Sequence, residues 1–133
     1  MADVAVAGAG EVVYLAKNTA VALPAGQSVG FGDTAVLTPA TGSPFKGRYM
    51  LVHLVESGAG TDNTVVFKAG VTGGTPANLA ALGDLTVTAG AASDQIIQIE
   101  LARFLQADGT VRAVIGGTAG SVTVSVVNLS KSV

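Results

Sequence analysis

Apolar and polar residues alternate along short segments of this chain, with the period of a β-strand that has one buried face. Residues 85–88 show the alternation cleanly, and glycine, proline, asparagine or aspartate separates most segments from the next. The pattern predicts strands at residues 12–16, 35–38, 48–55, 64–69, 85–88, 95–100, 111–115 and 122–127. A helical period does not persist for three turns beyond the N-terminal stretch, so we expect little helix.

Two of these segments, residues 48–55 and 122–127, are apolar enough to predict core strands. Asp108 and Gly109 predict a tight hairpin turn of type I′, because Asp-Gly accepts the positive φ angles of that turn. About eight short strands at this spacing predict an all-β fold. We expect a single-domain antiparallel β-sandwich, jelly-roll-like, over residues 11–133.

Residues 1–10 carry mostly small side chains and predict a flexible N-terminal arm. Val4 and Val6 alternate, and Gly8 and Gly10 follow them. Such an arm could add a strand to the sheet edge of a neighbouring subunit, which makes these four residues the candidate partner-binding residues. A second interpretation stays open, in which the segment is the first strand of the domain's own sheet.

The composition indicates that part of the surface contacts other protein. Of the 133 residues, 49% are hydrophobic and only 12% are charged, about half the charged fraction of about 25% that is usual in globular domains. No apolar run approaches the roughly 20 residues that cross a bilayer, so we expect no membrane association. We therefore expect a homo-oligomer or a lattice component.

The charges argue against nucleic acid as a partner. Seven lysines and arginines face nine acidic residues, and only Lys46 and Arg48 lie close together in the sequence. Phosphate binding requires clustered cations, because its affinity comes from the release of several counterions.

Reactive side chains are too few to indicate catalysis. Cysteine is absent and His53 is the only histidine, so a zinc site or a hydrolase triad has little to draw on. His53 lies within the most apolar predicted strand, where we expect a core or interface histidine with one hydrogen bond. Gly8 and Gly10 imitate a dinucleotide-binding fingerprint, but Val13 stands where a third glycine or alanine is needed. We expect no enzyme, no metal and no cofactor.

Three segments carry a resemblance to known proteins: residues 65–70, 83–88 and 100–111. Through these segments, the stretch from Thr64 to Ile115 resembles small virion proteins of tailed bacteriophages. Such proteins are described as decoration, auxiliary or minor capsid proteins. The resemblance implies a β-sandwich on the capsid exterior, made in the host cytoplasm, whose partners are the major capsid protein and further copies of itself. By analogy with such proteins, a trimer is the preferred oligomeric state.

The leading hypothesis is thus a capsid decoration protein that stabilises the shell by non-covalent subunit contacts. Two alternatives remain. One is a carbohydrate- or receptor-binding module on a virion surface, for which Tyr14 and Tyr49 are the only tyrosines and tryptophan is absent. The other is the principal coat subunit of a small virus, although an RNA-packaging shell usually has a basic face.

Overall fold

The structure is a computed structural model, and it describes residues 2–12, 26–38, 49–56, 58, 62–71, 79, 81–90, 93–117 and 119–129. The elements in this part of the chain are β1 (Asp3–Val12), β2 (Gln27–Gly30), β3 (Thr34–Thr38), β4 (Tyr49–Glu56), β5 (Asn63–Phe67), β6 (Leu85–Ala89), β7 (Asp94–Glu100), α1 (Leu101–Phe104), β8 (Val111–Gly117) and β9 (Ser121–Leu129). The prediction of an all-β fold is confirmed.

The strands form two packed sheets. The first sheet has the order β6-β5-β8-β3-β1, and the second has the order β2-β9-β4-β7. Strand β1 joins them, because Asp3 to Ala7 pair with β3 while Gly8, Ala9 and Val12 pair with β9. Both pairings of β1 are parallel, whereas every other pairing among the described strands is antiparallel.

Eight of the strands pair as one long hairpin that is rolled over on itself. β2 pairs with β9, β3 with β8, β4 with β7, and β5 with β6, so that four outgoing strands meet four returning strands in nested order. The tip of this hairpin lies between Phe67 and Leu85. Nested pairing of this kind is the feature that makes the sandwich jelly-roll-like.

The core lies between the sheets and is built from alternate residues of each strand. Met50, Val52 and Leu54 of β4 are fully buried, as are Val122, Val124 and Val126 of β9. Both segments that were predicted as core strands are therefore confirmed, over the part of residues 48–55 that the structure describes. Phe67 and Phe104 add the aromatic part of the core, with ring centroids 6.2 Å apart.

The N-terminal segment follows the second of its two interpretations, and not that of a flexible arm. It is strand β1 of the domain's own sheets, and Val6 is 2% exposed within the core. The physical reason is its alternation: Val4 and Val6 face inwards, while Ala5 and Ala7 are exposed.

The predicted strand at 12–16 lies outside the described residues from residue 13 onward. Strand β2, which the pattern did not predict, is only four residues long and has the polar Gln27 and Ser28 on it.

The turn at Asp108 and Gly109 is tight, as predicted, but its type differs from the prediction. Gln106 N–H donates to the Thr110 carbonyl, and Gly109 N–H donates back to the Gln106 carbonyl. The loop therefore has three residues rather than the two of a type I′ turn, with Gly109 at φ 82° as its left-handed residue. Residues 101–104, between β7 and this turn, form the single turn of α1.

Buried polar side chains close one end of the sandwich. The Asn63 amide Nδ2 donates to the carbonyls of Gly116 and Ala119 at 3.0 and 3.1 Å. Glu56, which is 3% exposed, accepts a hydrogen bond from the Gly58 N–H. These hydrogen bonds attach the β8–β9 and β4–β5 connections to the ends of the strands.

Candidate functional site: a sheet face of small side chains

The outer face of the first sheet carries few charges, and two ion pairs contain most of them. The strand pairings place small and β-branched side chains side by side on it, in rows that cross β6, β5, β8, β3 and β1. We call this surface the threonine–valine face; its described members are Ala5, Ala7, Thr34, Val36, Thr38, Thr64, Val66, Thr86, Thr88 and Val114. Valines stand on the solvent side of this sheet, where one-faced sheets usually carry polar residues.

Two ion pairs lie on that face. Arg112 donates to Asp3 at 3.2 Å across β3, and the two side chains are 36% and 63% exposed. Lys68 N–H continues the β5–β8 ladder by donating to the Arg112 carbonyl, so Lys68 and its partner Asp84, 2.7 Å apart, lie on the same side of the sheet. Because the charges of each pair neutralise each other, the face offers little electrostatic attraction to a charged ligand. A flat surface of short, stiff side chains instead suits packing against another protein, since β-branched residues lose little rotamer freedom there.

The described cations are all engaged within the molecule. Lys68 pairs with Asp84 at 2.7 Å, and Arg112 pairs with Asp3. The Arg103 guanidinium lies 4.9 Å from the Phe104 ring centroid and donates to the Gly83 carbonyl at 3.2 Å. In the part of the chain that the structure describes, no unpaired basic cluster exists that would attract phosphate groups.

Asp84 connects the two sides of the long hairpin at its tip. Its carboxylate accepts hydrogen bonds from Lys68 and from the Ala69 N–H, both at 2.7 Å. The Lys68 hydrogen bond, followed by that of Ala69, holds the pKa of Asp84 below its ordinary value. At the hairpin turn before β8, the Thr110 hydroxyl and N–H lower the pKa of Asp108 in the same way.

The single histidine lies on the outer face of the second sheet. His53 Nε2 is 2.5 Å from Asp94 Oδ1, and the strand register places Ser125 on one side of His53 and Ile96 on the other. The one hydrogen bond expected from the sequence is thus present, although the ring is only partly buried.

Serine, histidine and aspartate come together here in adjacent strands, but the arrangement does not form a hydrolase site. All three belong to regular ladders, where backbone N–H groups are used in strand pairing or lie in the sheet plane. An oxyanion hole needs N–H groups that converge above the nucleophile. Ser125, moreover, is only 4% exposed, so a substrate carbonyl could not approach its hydroxyl.

The candidate partner-binding residues have separate positions in the structure. Val6 is buried in the domain's own core and Val4 packs against that core. Gly8 pairs with Val126 of β9, and Gly10 lies in the same strand. The structure does not bring these four residues together on an outer surface; the neighbouring Ala5 and Ala7 are the residues of β1 that reach the threonine–valine face.

Metal ligands and membrane-spanning helices do not add a second candidate site within the described ranges. These residues contain no group of three or more His, Cys, Asp or Glu side chains that could hold a metal ion. None of their helices is long and apolar enough to cross a membrane.

Comparison with protein-family models, with curated proteins and with solved structures gave no match.

Proposed function

We propose that this protein is an auxiliary structural protein of a bacteriophage capsid, a decoration protein that lies on the shell exterior and binds the major capsid protein. The observation that carries the proposal is the threonine–valine face. It spans all five strands of the first sheet, and its two ion pairs carry no net charge.

Attachment through this face would bury apolar area, and each Å² buried would stabilise the complex by about 25 cal/mol. The attachment would not require the desolvation of unpaired charges. Val36, Val66 and Val114 are each partly exposed in the isolated chain, so all three could lose further surface on docking. The resemblance of residues 64–115 to phage virion proteins supports the same assignment. The protein would act by contact alone, with no catalytic step, and as an oligomer of itself.

The two other candidate functions have less support. Sugar binding commonly uses exposed aromatic rings, and Phe31, 50% exposed, is the only such ring among the described side chains. A nucleic-acid-packaging coat would require free cations, yet Lys68, Arg103 and Arg112 are all engaged.

A co-sedimentation assay tests the proposal. Purified protein is added to phage particles that lack it, and the bound fraction is measured after gradient centrifugation. We expect wild type to bind and the double variant Val66→Lys/Val114→Lys to lose binding. Leu82→Lys, which changes a side chain 60% exposed and outside the strands, should still bind. Equal binding of all three proteins would contradict the assignment of the face, and failure of wild type to bind would contradict the function.

A further inference from the structure

Strand β7 is an open edge of the second sheet. It ends the strand order, with β4 as its neighbour on one side and no ladder on the other among the described residues. A side-chain hydrogen bond connects it to β6 of the first sheet, in which Gln95 Nε2 donates to the Thr88 carbonyl at 2.9 Å. An open edge presents a row of unpaired backbone groups to other chains.

The ladder between β4 and β7 identifies which residues of β7 direct their backbone groups to the open edge. Glu56 N–H donates to the Ser93 carbonyl at 3.0 Å, so the pair Glu56–Ser93 is a hydrogen-bonded one. Hydrogen-bonded pairs alternate along an antiparallel ladder. Gln95 and Ile97 therefore direct their backbone groups towards β4, whereas Asp94, Ile96 and Gln98 direct theirs to the open edge.

This edge lacks the features that usually prevent association. Residues 94–100 contain no proline, lysine or arginine, and their acidic side chains stand only at the two ends. Ile96, at the centre of the residues whose backbone groups point to the open edge, is 56% exposed. Among the strand residues whose side chains the structure describes, no other large apolar side chain is exposed to such a degree. Edge strands with an exposed apolar centre are sites of strand addition.

We propose that β7 pairs with β7 of a second copy of this chain, antiparallel and about a two-fold axis at Ile96. The inference rests on the proposed self-association and names the surface that produces it. The two-fold pairing gives a dimer, in place of the trimer that the resemblance favours. Ile96 would face Ile96 of the second copy, and Asp94 would face Gln98 in both directions. The two second sheets would join into one continuous sheet across the dimer.

The charges select this register over the nearest alternative. A two-fold axis at Ile97 would also join outward-directed backbone groups, but it would place Asp94 opposite Glu100 at both ends. Like charges directly opposite each other in a ladder are destabilising. With the axis at Ile96, each Asp94 faces an uncharged amide and the exposed isoleucines bury each other.

Sedimentation velocity of the isolated protein over a concentration series tests the interface. Wild type should be a dimer, and Ile96→Lys should raise the dimer Kd about tenfold or more. The matched control Leu82→Lys, at a side chain 60% exposed but off the strand, should leave the Kd unchanged. A monomeric wild type, or equal weakening by both variants, would overturn the proposal.

Two further variants test the register. Gln98→Glu places a carboxylate opposite Asp94 and should raise the Kd, whereas Gln98→Lys should lower it, each by about two- to thirtyfold because the pair occurs twice. The chain has no cysteine, so Ile96→Cys should form a disulfide dimer on oxidation while Leu82→Cys should not. Equal cross-linking at both positions, or no opposite effect at Gln98, would overturn the axis at Ile96.

The outcomes separate this inference from the proposed function. A monomer that still binds phage particles would overturn the β7 interface and leave the decoration role standing. A dimer that depends on Ile96 but binds no particle would confirm the interface and contradict the role.

Discussion

His53 and Asp94 lie diagonally across the neighbouring strands β4 and β7, with Nε2 and Oδ1 2.5 Å apart. The two side chains are 23% and 67% exposed, so water screens their interaction. The pair links the edge strand to its neighbour through side chains, in addition to the ladder hydrogen bonds.

Replacing His53 with Gln should therefore lower the free energy of unfolding by less than about 1 kcal/mol, because exposed pairs contribute little. Urea denaturation measures this change, and particle assembly should remain intact. Loss of a chemical reaction in a variant that still folds would contradict the structural role.

The position of Val6 in the core gives a test of strand β1. Val6→Asp buries a carboxylate without a partner and should cost about 3 kcal/mol or more of stability. Ala5→Asp, one residue earlier on the exposed side of the same strand, should have little effect. Denaturation of both variants, together with deletion of residues 2–10, provides the measurement. A deletion variant that stays fully folded would show that the segment is an arm after all.

The Lys68–Asp84 pair predicts a dependence of stability on pH. Its hydrogen bonds lower the pKa of Asp84 from the ordinary 3.8, so the folded state binds the proton less readily than the unfolded state. The stability contributed by Asp84 is present above that ordinary value and is lost as the pH falls through the lowered pKa. Because both side chains are at least about a third exposed, the contribution is below about 1 kcal/mol.

Asp84→Asn should accordingly be less stable than wild type near neutral pH, and the two should converge in acid. Urea denaturation at a series of pH values measures the difference. A Lys68→Gln background serves as the control, since it removes the largest cause of the shift. A difference that does not change with pH would contradict the assignment.

Two glycines with positive φ should respond differently to substitution. Gly109 has φ 82° and open space where a Cβ would project, so Gly109→Ala should cost only the backbone penalty of about 1–2 kcal/mol. Gly117 has φ 122°, and a Cβ there would stand 2.9 Å from both the Asp62 carbonyl oxygen and Asn63 Nδ2. Gly117→Ala should therefore cost more than Gly109→Ala in thermal denaturation, and the reverse order would contradict the packing of this end.

Local pattern was sufficient to predict the strands that carry β-branched alternation, such as β4 and β9, and the glycine turn at Gly109. It did not decide the place of β1, because the alternation of Val4 and Val6 suits a neighbour's sheet as well as the domain's own. Strand pairing decides that question, and pairing is a long-range property. The segment at 101–104 becomes a helical turn since Leu101 and Phe104, three residues apart, both bury their side chains.

The threonine–valine face could be recognised only in part from the sequence. Thr86 and Thr88 alternate with buried residues, which indicates that they point outward. The strand order β6-β5-β8-β3 places Val66, Val114 and Thr34 beside them. No local sequence pattern specifies that order. The open edge at β7 was missed for the same reason.

Electron microscopy of phage particles that contain the protein is the decisive test of the proposed attachment. At a resolution that separates the two sheets, we expect density for the sandwich on the outside of the shell, with the threonine–valine face against the major capsid protein. Density in which that face points to solvent, or particles whose shell lacks the protein, would contradict the proposal.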